Sequence, residues 1–269
     1  MSTLSLAPVE RLISFIGDSR AAIFDGHALA GEAIGDRLVV TRSRTAPYFR
    51  SSRLFAQGRF GGMVSRWLWE LGFLVHAEDG DPAFSYDVEA FEGEQSKIVL
   101  APARVNRTLV VSCGGADAWD LQESLYRRQA WFELDPPFEG TPPDAEPYEP
   151  ATQLDYEDVY RDYQARLAPL FTGLCRLRDC GFSALHLLGI GPPQREVRPG
   201  GKPLDLRFRT YVIADRALRE FSRTEGIGYI DVWALTWSNG VREQSLYGSG
   251  DHHSTKIVPL IVEGLLRTS

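Results

Sequence analysis

The sequence predicts an α/β fold, a three-layer sandwich in which helices cover both faces of a parallel sheet of about five strands. Two patterns predict it: short continuous runs of Val, Ile and Leu, and longer segments with apolar residues at helical spacing. Continuous apolar runs are typical of strands that are covered on both faces, because every side chain then meets a helix layer. The alternation of the two patterns favours parallel strands joined by helical crossovers.

The predicted strands and helices alternate along most of the chain. We expect strands at 11–16, 37–40, 107–113, 184–190 and 227–233. We expect helices at 21–33, 62–74, 155–180, 206–225 and 254–267. Pro169 lies inside the third of these helices and should kink or split it, because proline has no N–H to donate and its ring clashes with the preceding turn.

Length and composition indicate a single domain over residues 1–269, with a proline- and acid-rich loop at 134–150. The 269 residues, 43% of them hydrophobic, suffice for one large core. The net charge of -7 argues against nucleic-acid partners and against attraction to an anionic membrane. No stretch reaches the ~18 apolar residues of a spanning helix, and the start lacks the basic region of a signal peptide. Three cysteines without a framework spacing favour reduced thiols and a cytoplasmic location.

Gly17, Asp18 and Ser19 stand where the first predicted strand meets the first predicted helix. Parallel sheets bind their ligands at the carboxyl ends of the strands. A serine at such a turn is lifted out of the sheet, where it can serve as a nucleophile. Asp and Ser are also favoured helix caps, so an ordinary cap remains the alternative interpretation.

An acid and two histidines, Asp251, His252 and His253, precede the last predicted helix. A serine hydroxyl needs a general base, and that base needs an acid that orients it. Residues two apart in an extended loop share a side, so we predict Asp251 as the acid and His253 as the base for Ser19. His252 then points away, toward solvent or substrate. The remaining histidines are isolated, so we expect no metal and no cofactor.

Gly-Asp-Ser after the first strand, with Asp-His before the last helix, resembles the SGNH hydrolases, also called GDSL esterases and lipases. The resemblance implies a flavodoxin-like fold and an ester hydrolase with Ser19 as the nucleophile. It implies that Gly61 or Gly62, in the stretch "QGRFGGMVSRW", donates a backbone N–H to the oxyanion. It also implies that "CGGAD" is the third block, in which Ala116 stands where the family carries an asparagine.

Two features depart from the family pattern. The side chain of Ala116 has no donor, so either backbone N–H groups of the turn at Gly114 and Gly115 complete the oxyanion hole or the third donor is absent. The spacing from Asp251 to His253 is one residue shorter than the family's Asp-x-x-His. Asp117 is expected to orient Arg20 or to bind a substrate hydroxyl.

Other residues near these blocks allow two interpretations each. Arg20 and Arg59 either balance the acidic surface or bind an anionic group of the substrate. Tryptophans are usually core residues, and Trp119 is the best candidate for a platform that stacks on a sugar.

The sequence therefore predicts a serine esterase, acetylesterase-like, that hydrolyses a small acyl ester of a small-molecule or carbohydrate-type substrate. One alternative is an O-acyltransferase that uses the same Ser-His-Asp site, and another is a weakly catalytic binding module. The oligomeric state stays open.

Overall fold

The structure is a computed structural model. It describes residues 11–30, 38–46, 50, 62–76, 98–100, 107–138, 150–179, 184–193, 204–238, 241–248 and 252–267. In chain order the strands are β1 Arg11–Gly17, β2 Ala28–Leu29, β3 Val39–Thr45, β4 Leu74–His76, β5 Ile98–Leu100, β6 Arg107–Ser112, β7 Ala130–Phe132, β8 Thr152–Leu154, β9 Leu185–Leu188, β10 Gly228–Ile230, β11 Trp237–Ser238 and β12 Val241–Arg242. The helices are α1 Gly62–Glu70, α2 Gly115–Arg127, α3 Tyr156–Asp179, α4 Leu204–Glu225, α5 Val232–Thr236 and α6 Ile257–Arg267, with short 3-10 helices at Ser19–Phe24 and Gln244–Leu246.

Within the described residues, the central sheet has six strands in the order β10-β9-β6-β1-β3-β2. Strand β1 lies between β3 and β6 and pairs in parallel with both. Parallel pairing continues from β6 to β9 and from β9 to β10, whereas the edge strand β2 runs antiparallel to β3. Five parallel strands with helical crossovers confirm the predicted α/β fold.

Two apolar clusters cover the two faces of the sheet. Along β6, the buried Leu109 and Val111 contribute to one cluster, while Val110 contributes to the other. Helices α1 to α4 pack on the first face, and the helix at Ser19–Phe24 and α6 pack on the second. Burial on both faces explains the continuous apolar runs, because neighbouring residues of a strand point to opposite faces.

The prediction of a helix over 21–33 is wrong for residues 21–30, and residues 31–33 lie outside the described residues. The structure has the 3-10 helix Ser19–Phe24, after which the chain turns and forms the edge strand β2. The backbone N–H of Ser43 donates to a carboxylate oxygen of Asp25 at 2.8 Å, and Gly26 N–H donates to the carbonyl of Thr41 at 3.0 Å. These bonds to β3 turn the chain back along the sheet, and helix propensity within 21–33 cannot reveal them.

Two further differences concern helices. Helix α2 is absent from the predicted elements, although the buried Ala118, Leu121 and Leu125 repeat at helical spacing. Helix α3 continues through Pro169 without a break, so the expected split is wrong, while the alternative of a kink stays a prediction. The single-domain prediction stays a prediction, and residues 139–149 of the proline-rich loop lie outside the described residues. Among the described helices, none is long and apolar enough to cross a membrane.

Candidate active site

Gly17 ends β1 opposite Ser112 of β6. Its φ is +132°, and a Cβ at this position would lie 1.8 Å from the carbonyl oxygen of Ser112. Only glycine fits both the backbone angle and the space. The next N–H, that of Asp18, donates to the same Ser112 oxygen at 2.9 Å. Ser19 then begins the 3-10 helix, and so lies at the carboxyl edge of β1, where the sequence places it.

The buried carboxylate of Asp18 holds this turn through hydrogen bonds. Its carboxylate accepts hydrogen bonds from the Ser112 hydroxyl at 2.8 Å, from Arg20 Nη2 at 2.8 Å and from the Arg20 backbone N–H at 3.1 Å. Burial by itself would raise the pKa of Asp18, but the charge of Arg20 and these hydrogen bonds lower it below its ordinary value. The carboxylate is therefore ionised at neutral pH and holds the backbone on both sides of Ser19.

Arg20 is 7% exposed and bridges the ends of β1 and β6. Besides its pair with Asp18, its Nη2 donates to the carbonyl of Cys113 at 2.7 Å. A Cβ on Gly115 would lie 3.1 Å from the guanidinium carbon, so α2 begins directly against this side chain. Burial removes Arg20 from the surface, so the expectation that it balances surface charge is wrong, and Asp18 supplies a carboxylate partner. Its binding of an anionic substrate group and its orientation by Asp117 stay predictions.

His252 provides the partner of Ser19. Its Nε2 atom lies 2.8 Å from Ser19 Oγ, and its ring is half-buried. A backbone bridge between Tyr247 and His253 closes the loop that carries it. The N–H of Gly248 donates to the carbonyl of His252 at 2.8 Å within that loop. The hydroxyl can donate to Nε2 when that nitrogen is unprotonated, which is the arrangement of a nucleophile with its general base.

His253 lies on the other side of this segment, inside the protein. It is 4% exposed, and its ring centroid lies 4.9 Å from that of Tyr247. A Cβ on Gly191 would lie 2.9 Å from His253 Nε2. The expectation that His253 faces Ser19 and His252 points away is therefore wrong. The two side chains do point to opposite sides, but the bridge to Tyr247 turns His253 inward.

The third block forms the start of α2. Gly114 adopts φ +85° as the N-cap, and its carbonyl accepts a hydrogen bond from the Tyr163 hydroxyl at 3.0 Å. Ala116 is half-buried and Asp117 is 4% exposed, both in the first turn. Burial, followed by the charge of Asp117, raises the pKa of Tyr163 well above its ordinary value. Asp117 therefore lies near a tyrosine that stays protonated, within the protein.

Several predicted site residues lie outside the described residues, namely Asp251, Gly61 and Arg59. Gly62 is the first residue of α1. The orienting acid and the oxyanion donors therefore stay predictions. Within the described parts of the chain, no group of three or more His, Cys, Asp or Glu side chains is arranged to hold a metal ion.

Sequence reasoning missed a buried carboxylate that supports this region. Asp215 of α4 accepts a hydrogen bond from the N–H of Ile190 at 3.0 Å, next to Gly191, and others from Tyr229 and Arg219. Burial raises the pKa of Asp215 to about 6, although Tyr229 and Arg219 act in the opposite direction. Its spacing to Arg219, four residues on the same helix, is a signal that the sequence does carry.

Fold and site together define an α/β protein that places a serine–histidine pair at the carboxyl edge of a parallel sheet. No protein-family model and no curated protein sequence matches the chain. The chain is similar to a lipase/acylhydrolase from Enterococcus faecalis, with 12% identity over 96% of each chain and a TM-score of 0.40. It is also similar to a GDSL-like lipase from Bacteroides thetaiotaomicron, with 10% identity over 96% of this chain and 86% of that one, and a TM-score of 0.44. A catalytic mutant of an acetylxylan esterase from Geobacillus stearothermophilus shares 11% identity over 98% of this chain and 95% of that one, with a TM-score of 0.45.

Proposed function

We propose that this protein is a serine ester hydrolase of the SGNH type, acting on a small acyl ester of a carbohydrate-type alcohol. The observation that carries the proposal is the 2.8 Å contact between His252 Nε2 and Ser19 Oγ at the carboxyl edge of β1. A serine hydroxyl at neutral pH becomes an effective nucleophile when a neighbouring base removes its proton. The buried pair of Asp18 with Arg20 supports the proposal, because it holds the backbone that carries Ser19.

In the proposed reaction, Ser19 Oγ attacks the acyl carbon while His252 Nε2 accepts the hydroxyl proton. The imidazolium then returns this proton to the departing alkoxide, and the alcohol leaves. Water attacks the acyl-serine with His252 again as the base, and the carboxylic acid and free serine result. Asp251 is proposed to orient the other ring nitrogen of His252.

The oxyanion formed in each step needs hydrogen-bond donors. We propose the backbone N–H of Ser19 and that of Gly61 or Gly62, as the sequence blocks imply. Ala116 contributes no side-chain donor, so a further donor would come from the backbone of the turn at Gly115. Each such donor contributes about 3–4 kcal/mol to transition-state stabilisation in enzymes where it has been removed.

A fluorophosphonate probe followed by peptide mapping tests this function directly. The probe should form a covalent adduct on Ser19, and Ser19→Ala should abolish both the adduct and the hydrolysis of 4-nitrophenyl acetate. Thr172→Ala is the control, because it removes an exposed hydroxyl of α3 that donates to the carbonyl of Ala168 at 3.0 Å. Wild-type activity in Ser19→Ala would refute the proposal. Acyl transfer to an added sugar in preference to water would instead identify the transferase.

A further inference from the structure

His252 extends from one face of a short antiparallel segment before α6. A backbone bridge pairs Tyr247 with His253 in this segment, and the N–H of Gly248 donates to the carbonyl of His252 at 2.8 Å. Residues opposite each other in an antiparallel pair share a face, whereas neighbours along the chain point to opposite faces. The buried side chains of Tyr247 and His253 therefore occupy one face, and His252 occupies the face that meets Ser19.

The side chain of Tyr247 is attached to α5. Its hydroxyl donates to Thr236 Oγ1 at 3.1 Å, at the end of that helix. Thr236 is fully buried, and its own hydroxyl donates to the carbonyl of Val232 at 2.6 Å. The side chains of Val232 and Trp233 belong to the apolar clusters on the two faces of the sheet. Helix α5 is thus fixed in the core, and Tyr247 is fixed to α5.

The rings of Tyr247 and His253 fill the space between α5 and Gly191. Their centroids lie 4.9 Å apart, with 42° between the ring planes. A Cβ on Gly191 would lie 3.1 Å from the Tyr247 hydroxyl oxygen, 2.9 Å from His253 Nε2 and 2.8 Å from Val232 Cγ1. His253 therefore has little room to rotate, and its backbone, which continues directly into His252, is held with it.

We propose that Tyr247 is a positioning residue for His252. This inference rests on the proposed ester hydrolase function, in which His252 is the general base. Tyr247 acts through its neighbours, because its ring holds His253 and His253 fixes the backbone from which the imidazole of His252 reaches Ser19. A base must lie within hydrogen-bond distance of the hydroxyl whose proton it accepts. A displacement of about 1 Å can slow the chemical step about 100-fold, so loss of the Tyr247 ring should affect kcat.

The first test replaces the ring of Tyr247. Tyr247→Leu should lower kcat for 4-nitrophenyl acetate about 10- to 100-fold and leave KM nearly unchanged, because the base moves while the substrate site stays. Tyr247→Phe keeps the ring against His253 and should recover most of the lost kcat. Equal losses in Tyr247→Phe and Tyr247→Leu, or a wild-type kcat in Tyr247→Leu, would overturn the inference.

Tyr160→Leu is the matched control. Tyr160 of α3 also donates its hydroxyl to a side chain of another helix, that of Glu220, and its ring stacks on Tyr156 with centroids 5.8 Å apart. It packs against the apolar cluster on the first face of the sheet, whereas α6 packs on the second. Tyr160→Leu should therefore keep the wild-type kcat, and a loss as large as that of Tyr247→Leu would contradict a specific role of Tyr247.

A double-mutant cycle distinguishes positioning of His252 from a general structural role. In a His252→Ala background, Tyr247→Leu should lower the residual kcat by less than about twofold, because the base that Tyr247 positions is already absent. A loss in that background as large as in the wild type would overturn the inference. Circular dichroism and urea denaturation check that each variant is folded. Tyr247→Met replaces Tyr247→Leu in every measurement if the leucine variant does not fold.

A crystal structure of Tyr247→Leu tests the inference without catalysis. The distance from His252 Nε2 to Ser19 Oγ should increase from 2.8 Å by about 1 Å or more. An unchanged distance overturns the positioning role, whether or not the wild type hydrolyses the ester. A displaced His252, together with equal ester hydrolysis by wild type and Ser19→Ala, would support the positioning of this side chain and overturn the proposed function alone.

Discussion

His252 Nε2 lies 2.8 Å from Ser19 Oγ, although 233 positions separate the two residues in the chain. The first strand brings Ser19 to the carboxyl edge of the sheet, and the loop before α6 returns the chain to the same edge. Ser19 and His252 belong to different elements, so neither element forms the contact without the other. The contact therefore depends on the packing of the whole sheet.

The first prediction concerns the two adjacent histidines. His252→Ala should lower kcat for 4-nitrophenyl acetate by about 10²- to 10⁴-fold, because it removes the proposed general base. His253→Ala should lower it far less, since that ring packs inside the protein against Tyr247. Added imidazole should restore part of the activity of His252→Ala and none of any loss in His253→Ala. A deeper loss of kcat in His253→Ala, with both variants folded, would contradict the assignment.

The second prediction concerns Gly191, which lies against the segment that positions His252. A Cβ there would lie 2.8 Å from Val232 Cγ1 and 2.9 Å from His253 Nε2. Gly191→Ala should therefore destabilise the protein by about 1–3 kcal/mol and reduce kcat, because His253 must move. Urea denaturation and steady-state kinetics measure the two effects. Gly264→Ala is the control, since a Cβ there would meet nothing within 4 Å, and equal behaviour of the two variants would refute the argument.

The third prediction concerns the buried pair of Asp18 and Arg20. Asp18→Asn leaves the buried guanidinium without its charge partner, so the free energy of unfolding should fall by about 3–5 kcal/mol. Ser112→Ala removes only one hydrogen bond to the carboxylate and should cost about 1.5–3 kcal/mol. Because the native pKa of Asp18 is lowered, its contribution is present above the ordinary aspartate pKa and is lost as pH falls through the lowered value. Denaturant unfolding of both variants and of wild type measures these losses of stability. An Asp18→Asn protein as stable as wild type would contradict the prediction.

The fourth prediction concerns Asp215, whose native pKa is raised to about 6 from an ordinary 3.8. The native state binds this proton more tightly than the unfolded chain, so its stabilising contribution is complete below the ordinary pKa. As pH rises from 3.8 to about 6, deprotonation of Asp215 should lower the free energy of unfolding by about 3 kcal/mol in all. Above pH 6 this group should cause no further change. Asp215→Asn should lack this slope. Urea denaturation of wild type and Asp215→Asn across this pH range measures the effect. The difference in their free energies of unfolding should change with pH, and parallel curves would contradict the prediction.

The sequence by itself predicts the α/β class and the position of Ser19. The continuous apolar run of β6 indicates a strand covered on both faces, and the structure confirms this, because Val110 packs on one face while Leu109 and Val111 pack on the other. The residue types of Gly17 and Asp18 also indicate the turn, because glycine tolerates backbone angles that other residues avoid and aspartate is a favoured helix cap. These features depend on local composition, and local composition is readable without coordinates.

Tertiary structure alone decided which histidine meets Ser19 and what surrounds Arg20. The local backbone makes the side chains of His252 and His253 point to opposite sides. Which of them faces Ser19 depends on the bridge to Tyr247 and on the space left by Gly191, which is distant in the chain. The charge of Arg20 allows either a surface position or a place in the site, and only the structure shows that Asp18 and the Cys113 carbonyl together compensate its burial. Such compensation depends on hydrogen-bond geometry between separate strands, and residue spacing in one chain carries no record of that geometry.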